Sequence, residues 1–194
     1  MTEKIQDFSA VSSDGQNSWT SSDPIHSDLL ATKDFVYNPC RFDSSPPQIE
    51  EQNAEYGAYV FNLNGQSIRF RVAKITPTKV GQFVTLWERI ADGPIQPYDV
   101  LCEVDLFVIS TREGNNFGQF IFPKSVLSEH DILSSNGKGG KRAIRVYPPW
   151  AKTTSPQAQK TQKWQLEYFL EIPQIQPIDC VLVHMHYGQN GNPL

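Results

Sequence analysis

Cysteine is scarce: Cys40, Cys102 and Cys180 are the only three in 194 residues, far apart and with no Cys-x-x-Cys pair. An odd, sparse set of this kind argues against a disulfide framework or a cysteine-built zinc site, and for reduced, buried or half-buried thiols in a cytoplasm. Long apolar runs are missing as well. Nothing approaches the ~20 residues of a membrane span, and the opening MTEKIQDFSAVSSDGQ lacks the basic-then-apolar layout of a secretory signal. A soluble, cytoplasmic protein with no membrane partner is expected.

Positive charge is also in short supply. The chain has 17 basic residues against 21 acidic ones, a net charge of −4, which excludes indiscriminate adhesion to nucleic acid. No Gly-x-Ser-x-Gly elbow, Gly-x-Gly-x-x-Gly fingerprint or Walker loop occurs, so lipase and dinucleotide chemistry lose their support and no cofactor is implied. His184-Met185-His186, read as a strand, points its two imidazoles oppositely, and His26 and His130 are remote in sequence, so no metal is expected there.

What is present is enough apolar matter for one domain: 39% hydrophobic and 11% aromatic residues. The charge is unevenly spread. Residues 1–55 hold ten acids and three bases, whereas residues 56–89 hold Arg69, Arg71, Lys74, Lys79 and Arg89 against Glu88 alone. Residues 134–166 are more extreme, with seven bases (Lys138, Lys141, Arg142, Arg145, Lys152, Lys160, Lys163) and no acid. Two basic segments in an acidic chain point to a local surface for an anionic ligand.

Along the chain, residues 1–25 are polar and without period, a disordered N-terminal tail. Residues 28–37 are weakly helical and stop at Asn38-Pro39, and the acid-rich 48–55 suits a helix ended by Gly57. Residues 59–72 read as a β-hairpin, because Tyr59, Phe61 and Leu63 alternate, Asn64-Gly65 is a strong turn signal, and Ile68, Phe70 and Val72 alternate on return. Arg69 and Arg71 then share the opposite face. The apolar stripe Val80, Phe83, Val84, Leu86, Trp87, Ile90 predicts a helix over 79–90. Strands are expected at 104–110, 117–122 and 143–147, a short helix at 124–133, a flexible glycine-rich loop at 136–140, and a helix from Ser155-Pro156 to about Leu170. An apolar run at 180–183 and a frayed polar end form a C-terminal extension over 173–194. The sum is a single domain over 26–172 of mixed α/β (α+β) class, with a mixed central sheet flanked by helices.

The stretch YGAYVFNLNGQSIRFRVAKITPTKVGQFVTLWERIADGPIQP, with GQFIFPKSVL, GKGGKRAIRVYPPW and QAQKTQKWQLEYFLEI following in order, resembles the MepB family over residues 26–172. The resemblance implies a fold similar to the PD-(D/E)xK restriction-endonuclease-like superfamily, with nucleic acid bound across the active-site edge of the sheet. It also implies a cytoplasmic bacterial protein linked with drug resistance.

A nuclease of that class needs an Asp opening one strand and a Glu-x-Lys closing the next, two carboxylates for a divalent metal and a Lys for the attacking water. Two registers can be tried. In one, Asn62 stands for the Asp and Val72-Ala73-Lys74 for the Glu-x-Lys, with Gln82 on the following helix, and both carboxylates are missing. In the other, Asp105 opens a strand and Phe122-Pro123-Lys124 closes the next, with a phenyl ring where a carboxylate must be. The site therefore reads as degenerate, with Asp105, Lys124 and Lys74 as its remnants and Glu50, Glu51, Glu55 and Glu103 as displaced candidates. Gly137-Lys138-Gly139-Gly140-Lys141-Arg142 reads either as a flexible basic loop or as a cradle for phosphate.

The leading expectation is a non-enzymatic nucleic-acid-binding protein that prefers single-stranded DNA or RNA. Lys74, Lys79, Lys124, Lys138, Lys141, Arg142, Arg145 and Lys152 would contact phosphates, and Tyr147 and Trp150 would stack on bases. Trp164, which recurs with Tyr168 at helical spacing, reads equally as core. The alternatives are a metal-dependent nuclease with displaced carboxylates and a protein-interaction module with a basic face.

Overall fold

Asn64-Gly65 turns the chain as its backbone preferences dictate: both residues take positive φ (48° and 84°), the geometry of a tight primed turn between antiparallel strands. Strands β2 (Tyr59–Leu63) and β3 (Gln66–Val72) form the predicted hairpin. A second hairpin, β8 (Leu106–Glu113) and β9 (Asn116–Pro123), overlaps the strands expected at 104–110 and 117–122. The computed structural model describes residues 19, 24–50, 57–89 and 93–188.

The two hairpins join through a parallel pairing of β3 with β8, with Phe70 opposite Val108. Short strands β1 (Gln48–Ile49) and β11 (Phe169–Glu171) extend the two margins into a six-stranded mixed sheet of order β1-β2-β3-β8-β9-β11. Strand period two sends Leu106 and Val108 to one face and Phe107 and Ile109 to the other, so each face carries its own core. One core is covered by α1 (Ser27–Thr32), the π-helical turn Lys33–Tyr37 that follows it, and α4 (Cys180–His186). The other is covered by α2 (Lys124–Glu129), α3 (Pro156–Gln165) and a small antiparallel sheet of β4 (Lys74–Thr76), β5 (Lys79–Thr85) and β10 (Ala143–Val146), in the order β10-β5-β4. A two-stranded ribbon, β6 (Trp87–Arg89) with β7 (Ile95–Pro97), completes the molecule. Among the described residues no helix is long and apolar enough to cross a membrane.

Several expectations are corrected. Residues 79–89 are strands β5 and β6, not a helix. Gly81 sits at φ 79°, outside the helical region, and a Cβ there would fall 2.6 Å from a carbon of the Tyr147 ring. The apolar residues at 80, 83, 84 and 86 fit either period, and pairing with β4 and β10 decided the outcome. Gln48–Ile49 pairs with β2 rather than starting a helix, while 51–55 lie outside the described residues. The helix from Pro156 stops at Gln165 and passes through a short 3-10 turn, because Phe169 and Leu170 are drawn into edge strand β11 beside β9.

The termini also depart from the reading. Trp19 and Ile25, inside the stretch read as tail, pack against the first core, Trp19 beside Tyr37 and Phe61; residues 1–18 lie outside the described residues. The C-terminal stretch supplies fully buried Val183 and Tyr187. Tyr187 bonds Tyr37 across 3.1 Å and accepts from the Gln119 amide at 2.7 Å, and burial of both phenols pushes their pKa values up. The thiols are not all reduced: Cys40 and Cys180, with Cα atoms 5.2 Å apart, form a disulfide, and Cys102 alone is free. A separation of 140 residues hid the pair, because only the return of α4 onto the π turn brings the two together. A bridge closing so long a loop contributes about 2–5 kcal/mol.

The helix layer is pinned to the sheet by one buried acid. Asp28 accepts from the Arg112 Nε at 2.7 Å and from the Ser110 hydroxyl at 2.9 Å. Asp28→Ala leaves Ser110 buried without its partner and frees Arg112 from the helix. We expect a loss of about 2–3 kcal/mol and a fall in Tm of roughly 5–10 °C, read by thermal or urea unfolding. Unchanged stability would show that α1 is held by its apolar face alone.

Candidate nucleic-acid interface

Strand β10 and helix α3 run side by side over the second core, and between them lies a cavity of about 550 Å³. Ser155 accepts the Ala158 amide to cap α3, and Pro156 occupies its first turn. From there Gln157, Lys160, Thr161 and Trp164 recur at helical spacing and all line the cavity. Gln165 staples the seam at the cavity floor. Its side chain accepts the Tyr147 amide at 2.9 Å and donates to the Arg145 carbonyl at 3.0 Å.

Four cations line this space (Lys79, Lys141, Arg145 and Lys160), and no carboxylate is among the lining residues. Arg145 is fixed in advance: its guanidinium donates to Thr76 Oγ1 at 2.7 Å and to the carbonyls of Gly81 and Lys79 at 3.1 and 3.4 Å. Three rings complete the wall. The His130 imidazole lies over the Trp164 indole at 3.8 Å and nearly parallel, Trp164 is backed by Phe122, and the Tyr147 ring covers Gly81. A concave surface with positive charge and flat rings can hold phosphate together with an unstacked base.

Of the residues expected to touch nucleic acid, the cavity gathers Lys79, Lys141, Arg145 and Tyr147. Lys74, Lys138, Arg142 and Lys152 are exposed elsewhere, and the Lys124 ammonium donates to the Cys102 carbonyl at 2.8 Å, away from the cavity lining. Trp150 lies outside the cavity lining, half-buried, with its ring perpendicular to Phe169 at 5.6 Å and its indole nitrogen buried. His130, Lys160 and Trp164, absent from the expected contacts, also line the cavity, Trp164 packed against the second core between His130 and Phe122. The signal for Lys160 and Trp164 was the spacing of α3, which puts residues 157, 160, 161 and 164 on one face.

The glycine-rich loop is a pinned turn rather than a flexible loop or a phosphate cradle. Asn136 and Gly137 both take positive φ, and Ser135 and Lys138 exchange backbone hydrogen bonds at 3.0 and 3.1 Å around them. The Lys141 amide is spent on the Ile132 carbonyl, and the Gly137 amide faces the Asp99 carboxylate at 3.4 Å. Asp99, held below the usual carboxylate range chiefly by the Leu101 amide, places a negative charge where a phosphate would sit.

Two arginines of the first basic segment are neutralised. Arg71, fully buried, donates to Glu50 at 2.6 Å and to the Tyr98 hydroxyl at 2.8 Å, and Arg69 lies 3.3 Å from the same carboxylate. Glu50 is therefore committed to arginine. Of the other displaced carboxylates, Glu103 is exposed, and Glu51 and Glu55 lie outside the described residues.

The two nuclease registers separate cleanly. Asn62 sits beside the β2–β3 turn, accepting the Gly65 amide, while Lys74 follows the far end of β3, so the first register is never assembled. In the second, Asp105 and Lys124 do meet, the Lys124 amide donating to the Asp105 carbonyl at 3.1 Å. The Asp105 carboxylate, however, accepts the Ser67 amide at 2.8 Å, and Phe122 is fully buried in the second core. Among the described residues no group of three His, Cys, Asp or Glu side chains converges as a metal site. His184 lies on a helix rather than a strand, stacked on Phe42 with its Nε2 3.1 Å from the Cys40 carbonyl.

No curated protein matches the chain. A crystal structure of MepB is similar to it with a TM-score of 0.66 and 32% identity, over 77% of this chain and 99% of that one. The MepB-like family model matches residues 50–171, from just after β1 through β11, which takes in five of the six strands of the large sheet and the whole cavity and leaves β1, α1 and α4 outside. With more than half of its length matched by that model, the chain belongs to the MepB-like family.

Proposed function

We propose that the protein binds nucleic acid at the cavity between β10 and α3, and binds it without cutting it. The observation that carries this reading is the lining: four cations, three flat rings and no carboxylate, in a chain whose net charge is −4. An acidic protein that gathers bases without acids in one concavity creates a local field for polyanions. The rings add a preference. A single strand can follow a short cavity and offer unstacked bases to Tyr147 or to the outer face of His130, whereas a duplex keeps its bases stacked and overhangs onto repelling acidic surface. We expect single-stranded DNA or RNA to bind more tightly than duplex of equal length, with little sequence preference.

A salt titration with labelled strands tests this. Replacing Lys79, Lys141 and Lys160 together by alanine is expected to weaken binding to all sequences alike and to reduce the salt slope by about 2, at ~0.7 per lost single-strand contact. Replacing Lys138, Arg142 and Lys152, which lie outside the cavity, should change the slope less. Equal slopes in the two triple variants would move the interface elsewhere. An acidic protein that competed as well as a polynucleotide would favour a protein-interaction module instead.

The absence of cleavage rests on the register that assembles best. Asp105 and Lys124 meet through their backbones, their side chains bonded to the Ser67 amide and the Cys102 carbonyl, the third position is a core phenylalanine, and hard divalent cations are held poorly by a single carboxylate. Labelled strands should remain intact in magnesium or manganese. Cleavage that disappeared in Asp105→Ala would establish the nuclease reading with displaced acids.

A further inference from the structure

We propose that the cavity takes the phosphorylated end of a single strand, a phosphate monoester with its terminal nucleotide, rather than an interior stretch; this rests on the reading of the cavity as a nucleic-acid site. Three features point the same way. The first is the ratio of charge to space. About 550 Å³ is the size of a small-molecule pocket, room for one nucleotide, yet Lys79, Lys141, Arg145 and Lys160 all border it without an opposing acid. An internal nucleotide brings single-charged diesters, whereas a terminal monoester carries roughly −1.5 to −2 at pH 7 in addition to the next diester along the strand. The terminal nucleotide matches the lining better.

The second feature is Arg145. Its bonds to Thr76, Gly81 and Lys79 use three of its five N–H groups and orient the guanidinium before any ligand arrives, leaving two donors outside those bonds. A planar donor set prepared in this way suits a phosphate with several free oxygens, and the mobile lysines complete the charge. The third is Gln165, 1% exposed, which ties β10 to α3 through both ends of its amide and holds the two walls at a fixed spacing before any ligand arrives.

The test uses the full chain and one oligonucleotide sequence in three forms: 5′-phosphorylated, 3′-phosphorylated, and hydroxyl at both ends, each labelled away from the varied end. Anisotropy at fixed salt should show one phosphorylated form binding about tenfold more tightly than the hydroxyl-ended strand, the worth of one added charge-assisted hydrogen bond. The double variant K141Q/K160Q, with its fold checked by circular dichroism, should lose that difference. Equal affinity for all three strands would overturn the proposal and leave the nucleic-acid reading standing; no binding of any strand would overturn both. A preference that survived in K141Q/K160Q would show that the end is read elsewhere. A free nucleoside monophosphate competing as strongly as the phosphorylated strand would make this a mononucleotide site, and the strand-end proposal would fall.

Discussion

Strand β8 has no polar face. From Leu106 to Thr111 every residue is buried, and its partner β9 is almost as dry, so the hairpin at the centre of the sheet must be covered on both sides. Removing apolar side chains from water at ~25 cal/mol per Å² dominates any local preference. The remaining elements follow from this constraint: helices on one face, helices and a small sheet on the other. It also explains why segments of ambiguous period became strands or helices as the cover required. Residues 79–85 were recruited as β5 because β4 and β10 offered backbone partners above the second core.

The two covers are built differently. The helical layer is fixed by specific bonds as well as burial: Asp28 to Arg112 and Ser110, Tyr37 to Tyr187 and Gln119, and the Cys40–Cys180 bridge. These link the first described helix and the last to the same sheet face. The opposite layer is looser where β10 meets α3. Gln165 ties β10 to α3 at the seam, and the cavity beside it is lined by basic, polar and ring side chains together with Ile132 and Ile144.

Charge distribution completes the picture. Much of the acidic charge nearest the sheet is already committed. Glu50 neutralises Arg69 and Arg71, Asp28 holds Arg112, and Asp99 closes the turn at Ser135–Lys138. Burial pushes the Glu88 carboxyl upward while Arg69 pulls it back, another group settled by its neighbours. The cavity lysines have no such partners among the residues that line the space with them. The separation of paired from unpaired cations, rather than the total charge, distinguishes this surface.

Periodicity of two and the Asn-Gly turn made the β2–β3 hairpin legible in the sequence, and Ser155-Pro156 marked the start of α3, because these signals act over a few residues and need no partner. The mixed architecture and the basic character of residues 134–166 were equally plain. What neighbours decide was not visible. Arg71 read as an outward base until Glu50 and Tyr98 enclosed it, and Trp150 stands beside Phe169 outside the cavity that gathers the other expected contacts. Cys40 and Cys180 read as separate thiols, and the glycine-rich loop as open to phosphate, until α4 and Asp99 came into contact with them. The sequence by itself determined which segments can turn, alternate or begin a helix, because those are properties of adjacent backbone and side chains. Only the tertiary structure decided which charges are cancelled and which remain available, because burial and pairing depend on residues brought together from distant parts of the chain.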